Sequence, residues 1–249
     1  MDVLILGSAS ASGSRERDNT YLLLQHDEGN WMIDVGGNPL GKLKQAEIPL
    51  HSIKGVILTH FHIDHIFGLP SLLWGMWLGK RKEPLIICCP QDHQDQLGDI
   101  LRAYRTDEWP IGFEIKVQPF DCAEPGTLFV QGDMTVSVFT SLHAGSTSGI
   151  RVACGDKVLV YSADTAPSEW IRSQPRIDVL IHEATQARGD MSIHTSLEGI
   201  LTFYPIDRIP QVIAIHLTDD EPYEEVLAQY KKTGTPGVLL AHDMMRVSL

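Results

Sequence analysis

The chain alternates between short apolar, β-branched runs and longer segments whose apolar residues recur every three or four positions. Runs at residues 2–6, 21–25, 31–35, 55–59, 85–89, 135–140 and 157–162 read as strands, and runs at 178–182, 211–216 and 237–241 continue the series. Helical periodicity marks residues 40–47, 69–79, 92–104, 195–203 and 222–231. The first half is richer in strand hairpins and the second mixes both element types. Proline and glycine are spread through turns rather than gathered in a linker, with no solenoid or propeller repeat and no low-complexity tract. A single domain over residues 1–249 is the expected organisation.

Composition narrows the class. With 43% hydrophobic and 21% charged residues the chain is expected to fold as an ordinary soluble globular protein. A net charge of -12 makes the average surface repel polyanions, which disfavours a long nucleic acid as partner. The one basic cluster, Lys80, Arg81 and Lys82, reads as a solvated helix end. Cys88, Cys89, Cys122 and Cys154 form no CxxC pair and read as buried thiols. No apolar run is long enough for a membrane span, and the first residues lack a basic leader, so a cytoplasmic location is expected.

Chemistry concentrates after the strand at 55–59, which runs straight into His60-Phe61-His62-Ile63-Asp64-His65. In extended backbone, residues two apart share a face, so His60 and His62 can aim at one cation; the following turn lets Asp64 and His65 face a second. Imidazole nitrogen with carboxylate oxygen suits zinc, with manganese or iron as other occupants. Two metal ions need further ligands, and His143, Asp164 and His216 each follow a predicted strand. His26, His51 and His93 have no motif around them and read as surface residues.

An HxHxDH loop followed by single His, Asp and His residues at strand ends resembles the metallo-β-lactamase superfamily over nearly the whole chain. The resemblance implies an α/β (α+β) fold, a four-layer αββα sandwich. It implies His60, His62 and His143 at one metal, Asp64, His65 and His216 at the other, and Asp164 bridging. Asp34 matches a carboxylate that orients a ligand. Finer motifs, Ala163-Asp164-Thr165, His182-Glu183-Ala184-Thr185 and His194-Thr195-Ser196, resemble the ribonuclease Z branch. So do Ile66-Phe67-Gly68-Leu69-Pro70, Leu6-Gly7-Ser8-Ala9, Arg17-Asp18-Asn19 and Ala241-His242-Asp243.

That branch implies phosphodiester hydrolysis: a hydroxide held near Asp64 and Asp164 attacks, His194 protonates the leaving oxygen, and Glu183 orients His194. Asp64, His194 and Glu183 are thus the expected catalytic residues. The protruding arm with which ribonuclease Z grips transfer RNA would fall between His143 and Asp164. Only 20 residues lie there, enough for a strand hairpin. His216 is followed by Leu217-Thr218-Asp219-Asp220 instead of the branch's serine and Arg-Tyr pair. The missing arm and the acidic charge favour a small or cyclic phosphodiester over transfer RNA, because backbone binding rests on Lys and Arg. The alternative is transfer RNA 3′ processing. Lactone or thioester hydrolysis, or metal binding without catalysis, ranks below both. Trp74 and Trp77, three apart on a predicted helix, read as core or as the interface of a homodimer, since ribonuclease Z relatives pair through this region.

Overall fold

The computed structural model describes residues 1–109, 112–189, 191–231 and 237–249. One sheet carries β1 (Asp2–Gly7), β2 (Tyr21–Gln25), β3 (Asn30–Ile33), β4 (Ile53–Ile57), β5 (Leu85–Pro90) and β6 (Ile115–Phe120). The other carries β7 (Gly126–Gln131), β8 (Met134–Thr140), β9 (Ser148–Cys154), β10 (Lys157–Tyr161), β11 (Val179–Glu183), β12 (Gln211–Ile215) and β13 (Val238–Leu240). A last strand, β14 (Met245–Ser248), returns to the first sheet and pairs antiparallel with β1. Both sheets therefore have seven strands, in the orders β14-β1-β2-β3-β4-β5-β6 and β13-β12-β11-β10-β9-β8-β7.

The apolar runs are nearly continuous because most central strands are covered on both faces. Along β1, Val3 and Ile5 point between the sheets, where they meet Val136, Val152, Leu159 and Ile213. Leu4 and Leu6 point the other way, into a cluster with Leu69, Leu72, Leu73 and Met76. Those four belong to α3 (Leu69–Leu78), which covers the first sheet together with α1 (Pro39–Gln45) and α4 (Gln94–Ala103). Ile200, Leu201 and Val226, from α6 (Leu197–Phe203) and α7 (Tyr223–Lys231), cover Val158, Val160 and Leu180 on the second sheet. Two further short helices among the described residues are α2 (Ile63–Ile66), in the loop after β4, and α5 (Glu169–Arg172). The four layers are those of an αββα sandwich.

Helix boundaries follow local chemistry. Helix α6 begins at Leu197 rather than at residue 195 because Ser196 caps it, its hydroxyl accepting from Gly199 N–H at 3.1 Å. Asn38 does the same for α1, with Pro39 in the first turn. The segment expected to be helical from residue 92 opens as a 3-10 turn, Gln91–His93, before α4. Strands β6, β7, β9 and β14 have no counterpart among the predicted elements. β6 and β7 close one edge of each sheet and are half solvated, so their apolar signal is weak; Pro119 in β6 is tolerated at such an edge. The 20 residues between His143 and Asp164 form the expected hairpin, β9 and β10.

Three surface expectations need correction. Arg81 is no solvated helix end: it is 4% exposed and donates to the carbonyls of Glu83, Leu50, Ile53 and Pro84 at 2.7 to 2.9 Å. Of the four cysteines Cys154 is only half-buried, beside Asp133, while the other three are buried. His51 is exposed as expected, but His26 is tucked against Asp133 and His93 stacks on Phe61 with ring centres 4.8 Å apart.

Candidate metal centre

Parallel pairing of β3 with β4 gives these strands one direction, and β8, β10, β11 and β12 share a direction in the second sheet. Their carboxyl ends deliver the site. Asp34 follows β3 by one residue, His60 follows β4, His143 follows β8, Asp164 follows β10, Glu183 closes β11 and His216 directly follows β12. Three residues at these ends hold left-handed backbone: Asp34 at φ 60, Ala163 at φ 50 and His216 at φ 61. Such a residue breaks the strand's alternation and redirects the next side chains, at about 1 kcal/mol or more for a residue with a Cβ.

His60 lies three residues past the end of β4, His62 holds extended backbone at the N-cap of the one-turn helix α2, and Asp64 and His65 fall in that helix. Gly36 allows this loop to sit close: a Cβ there would come within 1.7 Å of the Asp64 carbonyl oxygen.

The expected ligand residues gather in two groups. In the first, His62 Nδ1 lies 3.2 Å from His60 Nε2 and 3.1 Å from His143 Nε2, while Asp164 Oδ2 is 3.8 Å from both His60 Nε2 and His143 Nε2. In the second, His65 Nε2 is 3.3 Å from Asp64 Oδ2 and 3.4 Å from Asp164 Oδ1. His216 Nε2 is 3.4 Å from Asp64 Oδ2 and 3.5 Å from Asp164 Oδ2. Asp164 belongs to both groups.

These spacings fit metal coordination. Ligand atoms at roughly 2.05 Å from a tetrahedral ion stand about 3.3 Å from one another. The fit has a second support: His65 Nε2 and Asp164 Oδ1 are buried atoms without a hydrogen-bond partner, and they face each other across the second group. Buried polar atoms are seldom left that way, and a cation between them would satisfy both.

Outer partners set the ring orientations. His143 Nδ1–H donates to the Ile193 carbonyl at 2.8 Å, which frees Nε2 for the cluster. His65 Nδ1–H donates to Asp34 Oδ2 at 2.9 Å, and Thr59 reaches the same carboxyl through its N–H and its hydroxyl. Burial pushes the Asp34 carboxyl up, and these donors work against it. The Thr59 hydroxyl oxygen also lies 3.0 Å from His60 Nδ1, so one buried carboxyl steadies a ligand of each group.

The electrostatics divide in the same way. Burial, with neighbouring histidines, holds His60 well below the usual imidazole range, and burial lowers His143, leaving neutral rings with lone pairs. Burial also opposes charge on His65 and His216, but carboxylates outweigh it, Asp164 and Asp34 for His65 and Asp164 and Asp64 for His216, so both are raised. Carboxylates here attract protons onto histidines where a metal would supply the positive charge, and metal binding would release those protons.

At the rim, His194 Nδ1–H donates to Glu183 Oε1 at 2.8 Å, and its ring lies 4.7 Å from that of His143 and 5.9 Å from that of His216. Burial opposes the charged ring, but Glu183 outweighs it and raises His194. Glu183 is itself buried and receives Thr165 N–H at 2.9 Å.

Every expected site residue thus lies in one place. No role was expected for Thr59 or Thr185, although Thr59 directly precedes His60 and Thr185 closes the His182-Glu183-Ala184-Thr185 motif, positions that would have flagged them. Beside the metal loop, Phe61, Ile63, Phe67, Gln96 and Tyr104 line a cleft of about 280 Å³. Asp219, in the segment after His216, binds Ser14 Oγ, Arg15 N–H and Arg17 Nη1, so it ties the N-terminal loop to the rim.

Two stacked mixed sheets, helices on both outer faces and this set of His and Asp side chains at strand ends are the arrangement of the metallo-β-lactamase fold. The fold matches human tRNase Z, short form, at TM-score 0.81 and 22% identity over 100% of this chain and 99% of that one. It matches the metallo-β-lactamase fold protein YhfI of Bacillus subtilis at TM-score 0.81 and 20% identity, over 98% and 97% of the two chains. The chain belongs to the family described as Anti-Pycsar protein Apyc1, whose model matches residues 1–244. A segment of 137 residues, 53% of the chain, is 33% identical to the Ribonuclease Z of Synechococcus sp. (strain CC9902) and spans 42% of that relative's length.

Proposed function

We propose that the protein is a metal-dependent phosphodiesterase acting on a small or cyclic phosphodiester. The observation that carries this reading is the Glu183–His194 pair at 2.8 Å, set at the rim of a seven-residue ligand cluster. His60, His62, His143 and Asp164 would hold one divalent ion and Asp64, His65, His216 and Asp164 the other, with zinc best suited to the donors. When bound, the ions activate the attacking water and neutralise charge at phosphorus. Asp164 belongs to both groups and Asp64 to the second, and the two carboxylates would orient the attacking water.

His194 does the rest of the proton work. Its Nδ1–H is engaged by Glu183, so Nε2 carries the proton delivered to the leaving oxygen. Glu183 favours the charged ring and fixes its tilt. The β9–β10 hairpin offers no arm for a long RNA, and a net charge of -12 gives little backbone attraction, which supports the small substrate. Transfer RNA 3′ processing is the second reading, favoured by the Ribonuclease Z relative.

The test is a screen of zinc-reconstituted protein against cyclic phosphates, a chromogenic linear diester, precursor transfer RNA and lactones. Turnover of cyclic or small diesters with precursor RNA left intact is expected. Cleavage of lactones with every phosphodiester untouched would sink the proposal, and precursor RNA as the preferred substrate would move it to the second reading.

A further inference from the structure

Thr185 has one hydroxyl proton and three polar neighbours. Its Oγ1 lies 2.8 Å from Glu183 Oε2, 3.0 Å from His216 Nδ1 and 3.3 Å from His194 Nδ1. Four donors converge on the two oxygens of buried Glu183: Thr165 N–H and His194 Nδ1–H on Oε1, Thr185 N–H and the Thr185 hydroxyl on Oε2. A carboxylate so surrounded only accepts, so it takes the hydroxyl proton. His194 Nδ1 has its shorter bond to Oε1. The hydroxyl oxygen is then left with a lone pair for His216, whose Nδ1 must carry the ring proton.

The consequence falls on the far side of the ring. In the neutral ring that would bind a metal, the lone pair lies on His216 Nε2, which faces Asp64 Oδ2 at 3.4 Å and Asp164 Oδ2 at 3.5 Å. Nothing in the backbone alone would hold the ring there, because His216 sits in left-handed conformation directly after β12. Thr185 is itself fixed: its carbonyl accepts from the Thr218 hydroxyl at 2.7 Å and from Tyr223 OH at 3.1 Å. The first sheet repeats the device, where the Thr59 hydroxyl stands between Asp34 and His60 Nδ1.

We propose that Thr185 is a positioning residue whose hydroxyl, between Glu183 Oε2 and His216 Nδ1, orients His216 for the ion shared with Asp64, His65 and Asp164. One carboxylate thereby serves both the rim histidine His194 directly and the ligand His216 through Thr185. This rests on the two-ion reading above. Loss of an outer partner of this kind weakens metal binding by about 10–100-fold.

The experiment titrates Co²⁺ into the full-length metal-free chain and into two variants, counting bound ions and following the visible absorption of each site. Thr185→Val keeps the branched shape and deletes the hydroxyl, while Thr185→Ser keeps the hydroxyl; far-UV circular dichroism checks folding, and Thr185→Ala replaces the valine variant if valine prevents it. Wild type and Thr185→Ser are expected to bind two ions, and Thr185→Val to bind the first normally and the second about 10–100-fold more weakly. Wild-type affinity for both ions in Thr185→Val overturns the inference, as does equal weakening in Thr185→Ser. A wild-type chain that binds fewer than two ions overturns the two-ion reading, and the inference falls with it.

Discussion

Glu183 determines how long His194 stays protonated as pH rises. Burial works against the charged ring, and the Glu183 hydrogen bond and charge reverse that, so His194 titrates above the usual imidazole range. A general acid must hold its proton, so activity depending on His194 persists up to that raised value and falls beyond it. In Glu183→Gln the carboxylate charge is gone while the shape remains, and the ring loses its proton at lower pH. The alkaline limb of the kcat profile is therefore expected to move to lower pH, with kcat reduced even at its optimum. Rates measured from pH 5 to 10 check this, and an unmoved limb would remove His194 from the acid role. At the same scale, the sequence resemblance marks Asp34 as an orienting carboxylate but not the ligand it serves. His65 and Asp34 stand 31 positions apart, and only the fold brings Nδ1 to Oδ2.

Among elements, the connection from α3 to β5 depends on one buried cation. Arg81 donates to four carbonyls, those of Leu50 and Ile53 before and in β4 and of Glu83 and Pro84 before β5. Arg81→Met leaves the buried Ile53 carbonyl without its donor, and the partly buried carbonyls of Leu50, Glu83 and Pro84 exchange theirs for water. A stability loss of about 2 kcal/mol is expected, chiefly from the lost charged hydrogen bond to the buried Ile53 carbonyl. Denaturant unfolding at constant metal measures it, with kcat of the folded fraction unchanged. A basic triplet after an apolar helix reads as solvated because charge usually ends at the surface. Here two of the carbonyls that capture Arg81, those of Leu50 and Ile53, lie 31 and 28 positions away, where local sequence cannot place them beside it. Edge strands β6 and β7 escaped for a related reason, since half-solvated strands dilute the apolar run that marks a buried one.

Across the whole molecule, the face carrying α2, α3 and the end of α4 stays apolar outside. Ile63, Phe67, Trp74 and Tyr104 are all exposed there, beside Trp109, whose ring lies 4.8 Å from that of Trp74. Apolar patches of this kind on soluble proteins commonly mark an interaction face. The homodimer expected from the sequence resemblance would cover it. Light scattering on the eluting protein should then give twice 27.7 kDa, and Trp74→Glu should return a single chain. A wild-type mass of one chain at tens of micromolar protein, roughly the range where interfaces of standard size hold, would remove the dimer.

The sequence by itself determined most of the strand and helix segments and the identity of the metal-ligand candidates, and its resemblance to a known family implied the sandwich. Strands buried on both faces leave continuous apolar runs, and the loop from His60 to His65 packs four donors into one short segment. Tertiary structure alone decided how distant groups combine. Asp64 and His216 are 152 positions apart, yet 3.4 Å separates Oδ2 from Nε2. Ring orientation, the burial of Arg81 and the place of Thr185 between the ends of β11 and β12 belong to the same class. Each depends on hydrogen bonds between segments brought together by strand pairing and layer packing, and local sequence carries no signal of that approach.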